Sequence, residues 1–496
     1  MAQPDAGLTP NAVLIELREK AGLSQQGLAT DLNRLSVDKH NKHAKLTAKS
    51  VWRWETGRTT RPKRFYLRLL SDYFEVEIDQ LGFPRPHRLH PQPARQTGHS
   101  REVAAVSVAD APEITAEQDH WRETREALGM TRHLLAVLAE QLYPEHRLTG
   151  LEHTGVITHP GWIPDTPVPL DTVHLTLNPD APEPLVTGAE QESSAVRPRF
   201  SPEQRYRLYH YAIRDLSAPT LFENRLCFRL TGLDWTPPTI SMSFGHMGFF
   251  DSMDTNEVLA HETALHHLAR NHTGELIATK PSWRGLAFRK LVGDPFDLSR
   301  RPVMGAIGTL TIRGGESPSV VLHHRDGGKV AGGGGMAHLL PAGIFQPSSV
   351  LPAAVAEDFS IWRNIQREYA EELLGRDEYD GSGRPIAYDQ LEPFMSMDHA
   401  LQTGDIQVWC LGVTLDALTL SCDILTVAVI EPDLYDTLFG DAVSTNTEGS
   451  VPARALPFES HTLNHLREQG QLSPGAAAAL HLAWQHRSKL LQQQPY

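Results

Sequence analysis

Residues 47–55 read Thr47-Ala48-Lys49-Ser50-Val51-Trp52-Arg53-Trp54-Glu55. Thr47 is a good N-cap residue, and the helix that it opens turns Val51 and Trp54 towards a core. The helical repeat leaves Lys49 and Arg53 on the other side, where they are free to meet a partner. This stretch therefore predicts a short amphipathic helix with one apolar and one basic face.

A second helix is expected just before it. Ser24 is a suitable N-cap, and Leu28 and Leu32 recur at helical spacing, which predicts a short helix with one apolar stripe. From Asn33 to Lys45 the sequence is basic and poor in apolar residues, so we expect a loop there. The loop is either a clamp for phosphates or a disordered basic flap.

The charge is unevenly distributed along the chain. Residues 34–68 contain 11 Lys and Arg against 2 acids, and residues 1–100 contain 16 against 10. The whole chain has 46 basic and 60 acidic residues, so the remainder holds 30 against 50. A polyanion would be attracted to the N-terminal part and repelled by the rest, which favours nucleic-acid binding by the first helices.

These features together resemble the lambda-repressor-like (XRE) family of helix-turn-helix regulators over about residues 11–83. Leu23-Ser24-Gln25, Leu28-Ala29 and Trp54-Glu55-Thr56-Gly57 carry the resemblance, and the long basic segment between the helices is a departure from it. The resemblance implies double-stranded DNA as a partner, with Gln25 on phosphate and the second helix in the major groove. The residues expected at DNA are Gln25, Lys42, Lys45, Thr47, Lys49, Ser50, Arg53 and Arg58.

The composition sets the broad class. With 496 residues, 40% hydrophobic and 21% charged, the chain is of ordinary globular composition and too long for one core. Its 3 widely spaced cysteines predict neither a disulfide framework nor a metal site. No apolar run is long enough to span a membrane, and the N-terminus has no signal-peptide pattern. We therefore expect a soluble, cytoplasmic protein.

Four segments are expected. Residues 1–83 form the XRE-type head, and residues 84–117 form a Pro-rich linker that buries little. Residues 118–300 form an α+β region that begins with an amphipathic helix over about 118–143 and contains another over 254–270. The apolar stripe of the first helix indicates core packing, with a dimer-forming seam as the alternative. Residues 301–496 form a ligand-sensing domain.

The second of those helices contains His261-Glu262-Thr263-Ala264-Leu265-His266-His267. Zinc proteases use His-Glu-x-x-His, which places two histidines four residues apart on one helix face. In this chain Leu265 holds that position, and His266 lies about 140° around the helix from His261. The sequence therefore favours structural or surface roles for these histidines.

Residues 303–375 carry a different pattern. Strands are expected at 308–312, 320–325 and 336–341, followed by a helix over about 359–374. Glu368, Glu371 and Glu372 stand at i, i+3 and i+4, so a regular helix projects all three from one face. The repulsion between the three carboxylates must be balanced by a neighbouring group. Carboxylate oxygens in this arrangement are suitable ligands for Mg²⁺ bound to a diphosphate.

This layout resembles the Nudix fold, whose signature box runs from a glycine loop into a helix bearing Arg-Glu-x-x-Glu-Glu. Gly343 matches the loop glycine, and Arg367, Glu368, Glu371 and Glu372 match the helix. Gln346 and Ser349 stand where the family carries further acids, so we expect no hydrolase activity. Three interpretations remain: a structural remnant in which Arg367 holds the loop, a ligand site with or without Mg²⁺, and residual catalysis.

The full chain resembles long XRE-type regulators with a Nudix-like C-terminal domain, of the kind found in high-GC Gram-positive bacteria. The fold expected is multidomain, with an all-α head and an α+β region that ends in a Nudix-like β-sandwich. The function expected is DNA-binding transcription regulation by a homodimer, controlled by a small, nucleotide-like effector. The alternatives are an Mg²⁺-dependent diphosphate hydrolase with a DNA-targeting head, and a partner-binding regulator without a small ligand.

Overall fold

The computed structural model describes most of the chain. The described residues are 11–21, 23–40, 44, 46–56, 59, 62–74, 76, 78–83, 112–219, 222–236, 240–325, 336–376, 385–440, 449–450, 455–468 and 472–491. The chain divides into two compact units, Met1–Ala104 (unit 1) and Ala105–Tyr496 (unit 2). It is a multidomain protein that contains both helices and sheets, and no helix in its described part combines the length and apolarity needed to cross a membrane.

The regular elements in the described residues of unit 1 are all helices. Its core joins the apolar stripe of the second helix, with Leu28 and Leu32, to Val51 and Trp54 of the third, as their spacing predicts. The helices are α1 (Ala12–Lys20), α2 (Gln25–His40), α3 (Ala48–Glu55) and α4 (Arg64–Phe74), followed by a 3₁₀ turn at Ile78–Gln80.

The loop expected from Asn33 to Lys45 is shorter than predicted, because α2 continues through His40. Asn33 explains part of this result. Its side-chain amide donates to the carbonyl oxygen of Leu46 at 2.8 Å, and its Oδ1 accepts the Leu46 N–H at 2.7 Å. These two bonds tie the middle of α2 to the residue just before α3, so the chain can return to α3 after a longer helix.

Unit 2 begins inside the predicted linker. Residues 84–111 lie outside the described residues, but α5 already starts at Pro112, a favourable first helical residue. Its apolar stripe, including Trp121, Leu128 and Leu135, is buried, in agreement with core packing. The elements up to residue 300 are α5 (Pro112–Glu140), β1 (Val156–Ile157), β2 (Val168–Pro169), β3 (His174–Leu177), β4 (Arg199–Ser201), β5 (Gln204–Arg205), α6 (Tyr209–Ala212), β6 (Leu226–Asp234), β7 (Ser241–Gly248), α7 (Phe249–Ser252), α8 (Val258–His267), β8 (Leu268–Arg270), β9 (Leu276–Ala278) and α9 (Ala287–Val292).

The remaining elements of unit 2 include the strands and the acidic helix expected from the sequence. The unit also contains π-helical turns at Ile213–Ser217, Met253–Glu257 and Tyr369–Leu373. They are β10 (Gly305–Arg313), β11 (Ser319–Val320), β12 (Leu322–Arg325), β13 (Ala337–Leu339), β14 (Ala342–Ile344), α10 (Pro352–Asp358), α11 (Ile361–Glu368), α12 (Phe394–Thr403), β15 (Ile406–Asp416), β16 (Cys422–Ile430), α13 (Pro432–Phe439), β17 (Gly449–Ser450), β18 (Leu456–Pro457), α14 (Ser460–Glu468), α15 (Pro474–Gln485) and α16 (Arg487–Leu491).

The largest sheet in the described residues has the strand order β1-β15-β16-β10-β11-β18, with β14 also paired to β10 and β2 to β15. Strands β10 and β16 are parallel, whereas β15 and β16 are antiparallel. Both faces are covered: Ile424 and Ala428 of β16 point into one core, and Leu425 and Val427 point into another that contains α15. A sheet buried on both faces explains the nearly continuous apolar run of β16.

The segments 118–300 and 301–496, expected as separate domains, lie in one compact unit. Strands β1 and β2 come from the first segment and pair with β15 of the second. A smaller sheet, β3-β7-β6, also adjoins the second segment, because the Phe228 N–H donates to the Phe345 carbonyl at 2.9 Å. Short β-strands in the middle segment are therefore completed by partners that are distant in sequence.

Candidate functional sites

The exposed face of α3 carries the residues that the sequence places at DNA. Thr47 is the N-cap, and its N–H donates to Ser50 Oγ at 3.3 Å, so the Ser50 hydroxyl takes part in capping. Lys49 and Arg53 are exposed, as predicted. Trp52, which the sequence analysis did not single out, is also 36% exposed on this helix. The helix thus presents two cations and an aromatic ring to its surroundings.

The opposite side of α3 is fixed by a buried carboxylate. Glu55 is 3% exposed and accepts Arg18 Nε at 2.5 Å and Gln25 Nε2 at 2.6 Å. The hydrogen bond with Glu55 raises the pKa of Arg18, so the guanidinium group keeps its positive charge in the folded unit. Gln25, predicted to contact phosphate, has its amide donor directed at Glu55. The three side chains join the last turn of α1 and the start of α2 to the end of α3.

Three other cations predicted at DNA lie outside the described residues. They are Lys42, Lys45 and Arg58. Lys39, part of the same basic segment, lies on α2, where its Nζ is 3.2 Å from Asp72 Oδ1. The phosphate-binding role of the basic segment therefore stays a prediction.

Arg367 of the Nudix-like segment is engaged inside the protein. It is 3% exposed, pairs with Asp358 at 2.9 Å, and donates to Tyr388 Oη at 3.0 Å and to the carbonyl oxygen of Gln346. Asp358 in turn accepts the Ser348 N–H at 2.8 Å. These bonds hold the 346–358 segment against α11, in agreement with the interpretation in which Arg367 holds the loop, and its role at a ligand stays a prediction.

Two of the three glutamates, Glu368 and Glu372, lie against β14. The chain leaves α11 in a π turn at Tyr369–Leu373, so the glutamates do not stand on a regular α-helix. Glu372 is buried, and its carboxylate accepts the Ala342 N–H at 3.1 Å. Glu368 lies against Gly343, where an added Cβ would be 1.9 Å from its carboxylate oxygen. The loop glycine therefore permits the close approach of Glu368 to β14.

Metal binding at these glutamates is not supported by their arrangement. Across the described ranges, no group of three or more His, Cys, Asp or Glu side chains is placed to hold a metal ion. Gln346 and Ser349 bring no carboxylate, and the Ser349 hydroxyl accepts the Leu351 N–H at 3.3 Å. Mg²⁺ at Glu368, Glu371 and Glu372 therefore stays a prediction, and we derive no chemical step through it.

A cavity that the sequence analysis missed lies beside the small sheet. It has a volume of about 440 Å³ and is lined by the start of β6, the end of β7, residues 183–187 and Val350. Arg225, Arg229, His246 and Asp251 contribute polar side chains to its wall. Periodicity could not bring these residues together, because their proximity depends on the pairing of β6 with β7.

The histidine-rich helix forms part of a buried network. His261 is 2% exposed, its Nδ1 is 2.7 Å from Tyr209 Oη, and its ring stacks on Trp121. Beside it, Glu257 accepts Arg125 at 3.0 Å and Arg132 at 2.7 Å. His266 is exposed, and its ring packs against Gly285, where an added Cβ would be 2.6 Å from Nδ1.

This network predicts a pH dependence of stability. Burial and the positive charge of Arg125 together lower the pKa of His261 to about 3, whereas an unfolded histidine titrates near pH ~6.5. Below pH ~6.5 the unfolded chain therefore binds a proton that the folded chain rejects until about pH 3, so acid destabilises the fold. We expect His261→Gln to remove about 2 kcal/mol of the stability lost between roughly pH 7 and pH 5.

Urea unfolding at the two pH values measures this difference, and the exposed His272→Gln is the matched control. An equal pH dependence in wild type and His261→Gln would contradict the assignment of a buried neutral His261.

No model of a known protein family matches the chain, and no curated protein matches its sequence.

Proposed function

We propose that this chain is a DNA-binding transcription regulator whose second unit senses a small ligand. The observation that carries the proposal is the exposed pair Lys49 and Arg53 on α3, a helix that is capped by Thr47 and locked from behind by Glu55. A rigid amphipathic helix with outward cations can enter a major groove, and its N-terminal part then contacts base edges. Its place in a compact unit of its own agrees with a dedicated DNA-binding head.

The charge of the chain supports the same assignment. The first 100 residues carry a surplus of 6 basic residues (16 against 10) in a chain of net charge −14. Phosphate attraction supplies most of the affinity of a DNA-binding protein for any sequence, and it would act on this end of the chain only. We assign the head to the lambda-repressor-like class on the sequence resemblance, and we expect a homodimer because such heads bind paired half-sites.

For unit 2 we propose a Nudix-like scaffold that binds rather than hydrolyses its ligand. The mixed sheet with parallel β10 and β16, the contact of α11 with β10 and β14, and the approach of Glu368 to Gly343 agree with that scaffold. Hydrolysis of a diphosphate needs several carboxylates to hold metal ions and activate water. In this chain Glu372 accepts a backbone N–H and Arg367 holds a neighbouring segment, which favours a binding role.

The DNA-binding proposal is tested on α3. We expect Lys49→Ala and Arg53→Ala each to weaken binding by roughly 1–3 kcal/mol if the side chains read bases. The probe is a duplex recovered by the full-length protein from a pool of random sequences, titrated in a gel-shift assay. Arg122→Ala, which removes an exposed arginine from α5 of unit 2, is the charge-matched control and should leave the affinity unchanged.

Failure of the protein to enrich any duplex, or equal affinity of both α3 variants and the wild type, would refute this assignment of the recognition helix.

A further inference from the structure

The cavity beside β6 and β7 has the size and lining of a small-molecule site. Its volume of about 440 Å³ falls in the lower part of the range of ligand pockets, which suits a small metabolite. Arg229 lies in its wall and is only 4% exposed. One of its Nη atoms donates to the Pro182 carbonyl oxygen, but its Nε is buried without a partner among the described residues. A cation so far removed from water is stabilised by an anionic partner.

A second cation lies near the first. Arg225 lies just before β6, lines the same cavity, and is 3.7 Å from the exposed carboxylate of Glu223. His246 adds a further polar atom, because its Nε2 is buried and has no hydrogen-bond partner in the described part of the chain. The lining of the cavity therefore offers two cations to an anionic group such as a carboxylate, together with an imidazole nitrogen.

Carboxylates complete the lining. Asp251, in the first turn of α7, accepts the Gly248 N–H at 2.7 Å, and Glu183 lies in the segment that closes the cavity. Burial raises the pKa of Asp251, and the negative charges of Asp254 and Glu183 raise it further, so a positive charge placed beside it would be favoured. Asp254 already binds His210 Nδ1 at 2.6 Å, which leaves Asp251 and Glu183 as the acidic partners for a ligand.

Two arginines and two carboxylates in one small cavity define the ligand by charge. A purely anionic molecule would satisfy the arginines but would be repelled by Asp251 and Glu183, and a purely cationic one would meet the reverse problem. We infer that this cavity binds a small zwitterion of the amino-acid class, with its carboxylate on Arg225 and Arg229 and its ammonium group on Asp251 and Glu183.

The position of the cavity connects it to the Nudix-like segment. Val350 lines it, and the Cys227 thiol, on β6, lies 3.8 Å from Gln346 Oε1 as a donor. The Gln346 carbonyl oxygen accepts a hydrogen bond from Arg367 of α11. A ligand that contacts Val350 can therefore shift the 346–350 segment and, through Arg367, α11. Describing this ligand as an effector rests on the proposed regulatory function, whereas its binding does not.

The test uses the full-length protein and the twenty standard L-amino acids as probes in a thermal-unfolding screen. We expect at least one to raise the melting temperature by a few degrees, because a ligand that binds only the folded state stabilises it. Its N-acetyl and its carboxamide derivatives, each lacking one charge, should give no shift. Arg225→Ala and Asp251→Asn should each weaken binding at least tenfold by calorimetry, and Arg214→Ala, an exposed arginine outside the cavity, should not.

Absence of a shift with all twenty amino acids overturns the inference, as does a shift that survives both cavity variants or that the N-acetyl derivative reproduces in full. These measurements contain no DNA, so their failure is separate from failure of the gel-shift assay. If an amino acid binds as expected but does not change the affinity for the selected duplex, the binding site is confirmed and its role as an effector site is refuted.

Discussion

Replacing Arg367 by methionine is expected to destabilise unit 2 by about 3–5 kcal/mol, because it leaves the buried Asp358 without its cation. Asp358 is 1% exposed, and its partner is held by further bonds to Tyr388 and to Asn364. Methionine keeps an unbranched side chain in the core, so the loss reports the missing charge rather than missing volume. Urea unfolding of the full-length protein, followed by a spectroscopic signal from unit 2, measures the difference.

Two further variants serve as controls for this prediction. Arg313→Met breaks the exposed pair with Asp436 and should cost no more than about 1 kcal/mol. Asp358→Asn combined with Arg367→Met removes both charges and should recover part of the loss. A loss below about 1 kcal/mol in Arg367→Met alone would show that Arg367 does not hold the 346–358 segment, and a ligand-binding role would regain support.

The different outcomes for Arg367 and for β10 show what the sequence can and cannot predict. The strand Gly305–Arg313 is marked by local composition, and the helix Ile361–Glu368 by local spacing, so both were predicted. Three partners of Arg367 lie 9 to 21 residues away along the chain, at Asp358, Gln346 and Tyr388. Only the folded loop brings them to the guanidinium group, so a motif match suggested a ligand where the structure has internal acceptors.

The geometry of the acidic residues and the cavity likewise depends on the folded chain, so neither could be predicted from the sequence. From their spacing, Glu368, Glu371 and Glu372 could only be placed on a regular helix, because the π turn at Tyr369–Leu373 has no signature in the sequence. Arg229 and Asp251 are 22 residues apart and meet only because β6 pairs with β7 and α7 follows directly. In α3, by contrast, the exposed and buried faces follow from the 3.6-residue repeat alone, and Lys49, Arg53 and Trp54 lie where it puts them.

Replacing Glu55 by alanine should unfold much of unit 1, with an expected loss of about 3–5 kcal/mol. The carboxylate is buried, binds Arg18 through both of its oxygens, and also accepts Gln25. Its removal leaves Arg18, whose side chain is only 12% exposed, without a counter-ion in the core of the head. A small helical unit has a total stability of about 5–15 kcal/mol at most, so this loss is a large fraction of it.

Hydrogen exchange of the full-length protein separates the two units in this test. Peptides from α1, α2 and α3 should lose protection in Glu55→Ala, those from β16 and α15 should keep it, and binding to the selected duplex should disappear. Glu19→Ala is the matched control, because Glu19 also pairs with Arg18, at 3.7 Å, but is 65% exposed and should contribute less than about 1 kcal/mol. The contrast isolates burial as the cause, since both variants remove one carboxylate from the same arginine. Equal protection of α1–α3 in both variants would mean that α3 is positioned by its apolar face alone, and that the Arg18–Glu55–Gln25 contact does not set the orientation of Lys49 and Arg53.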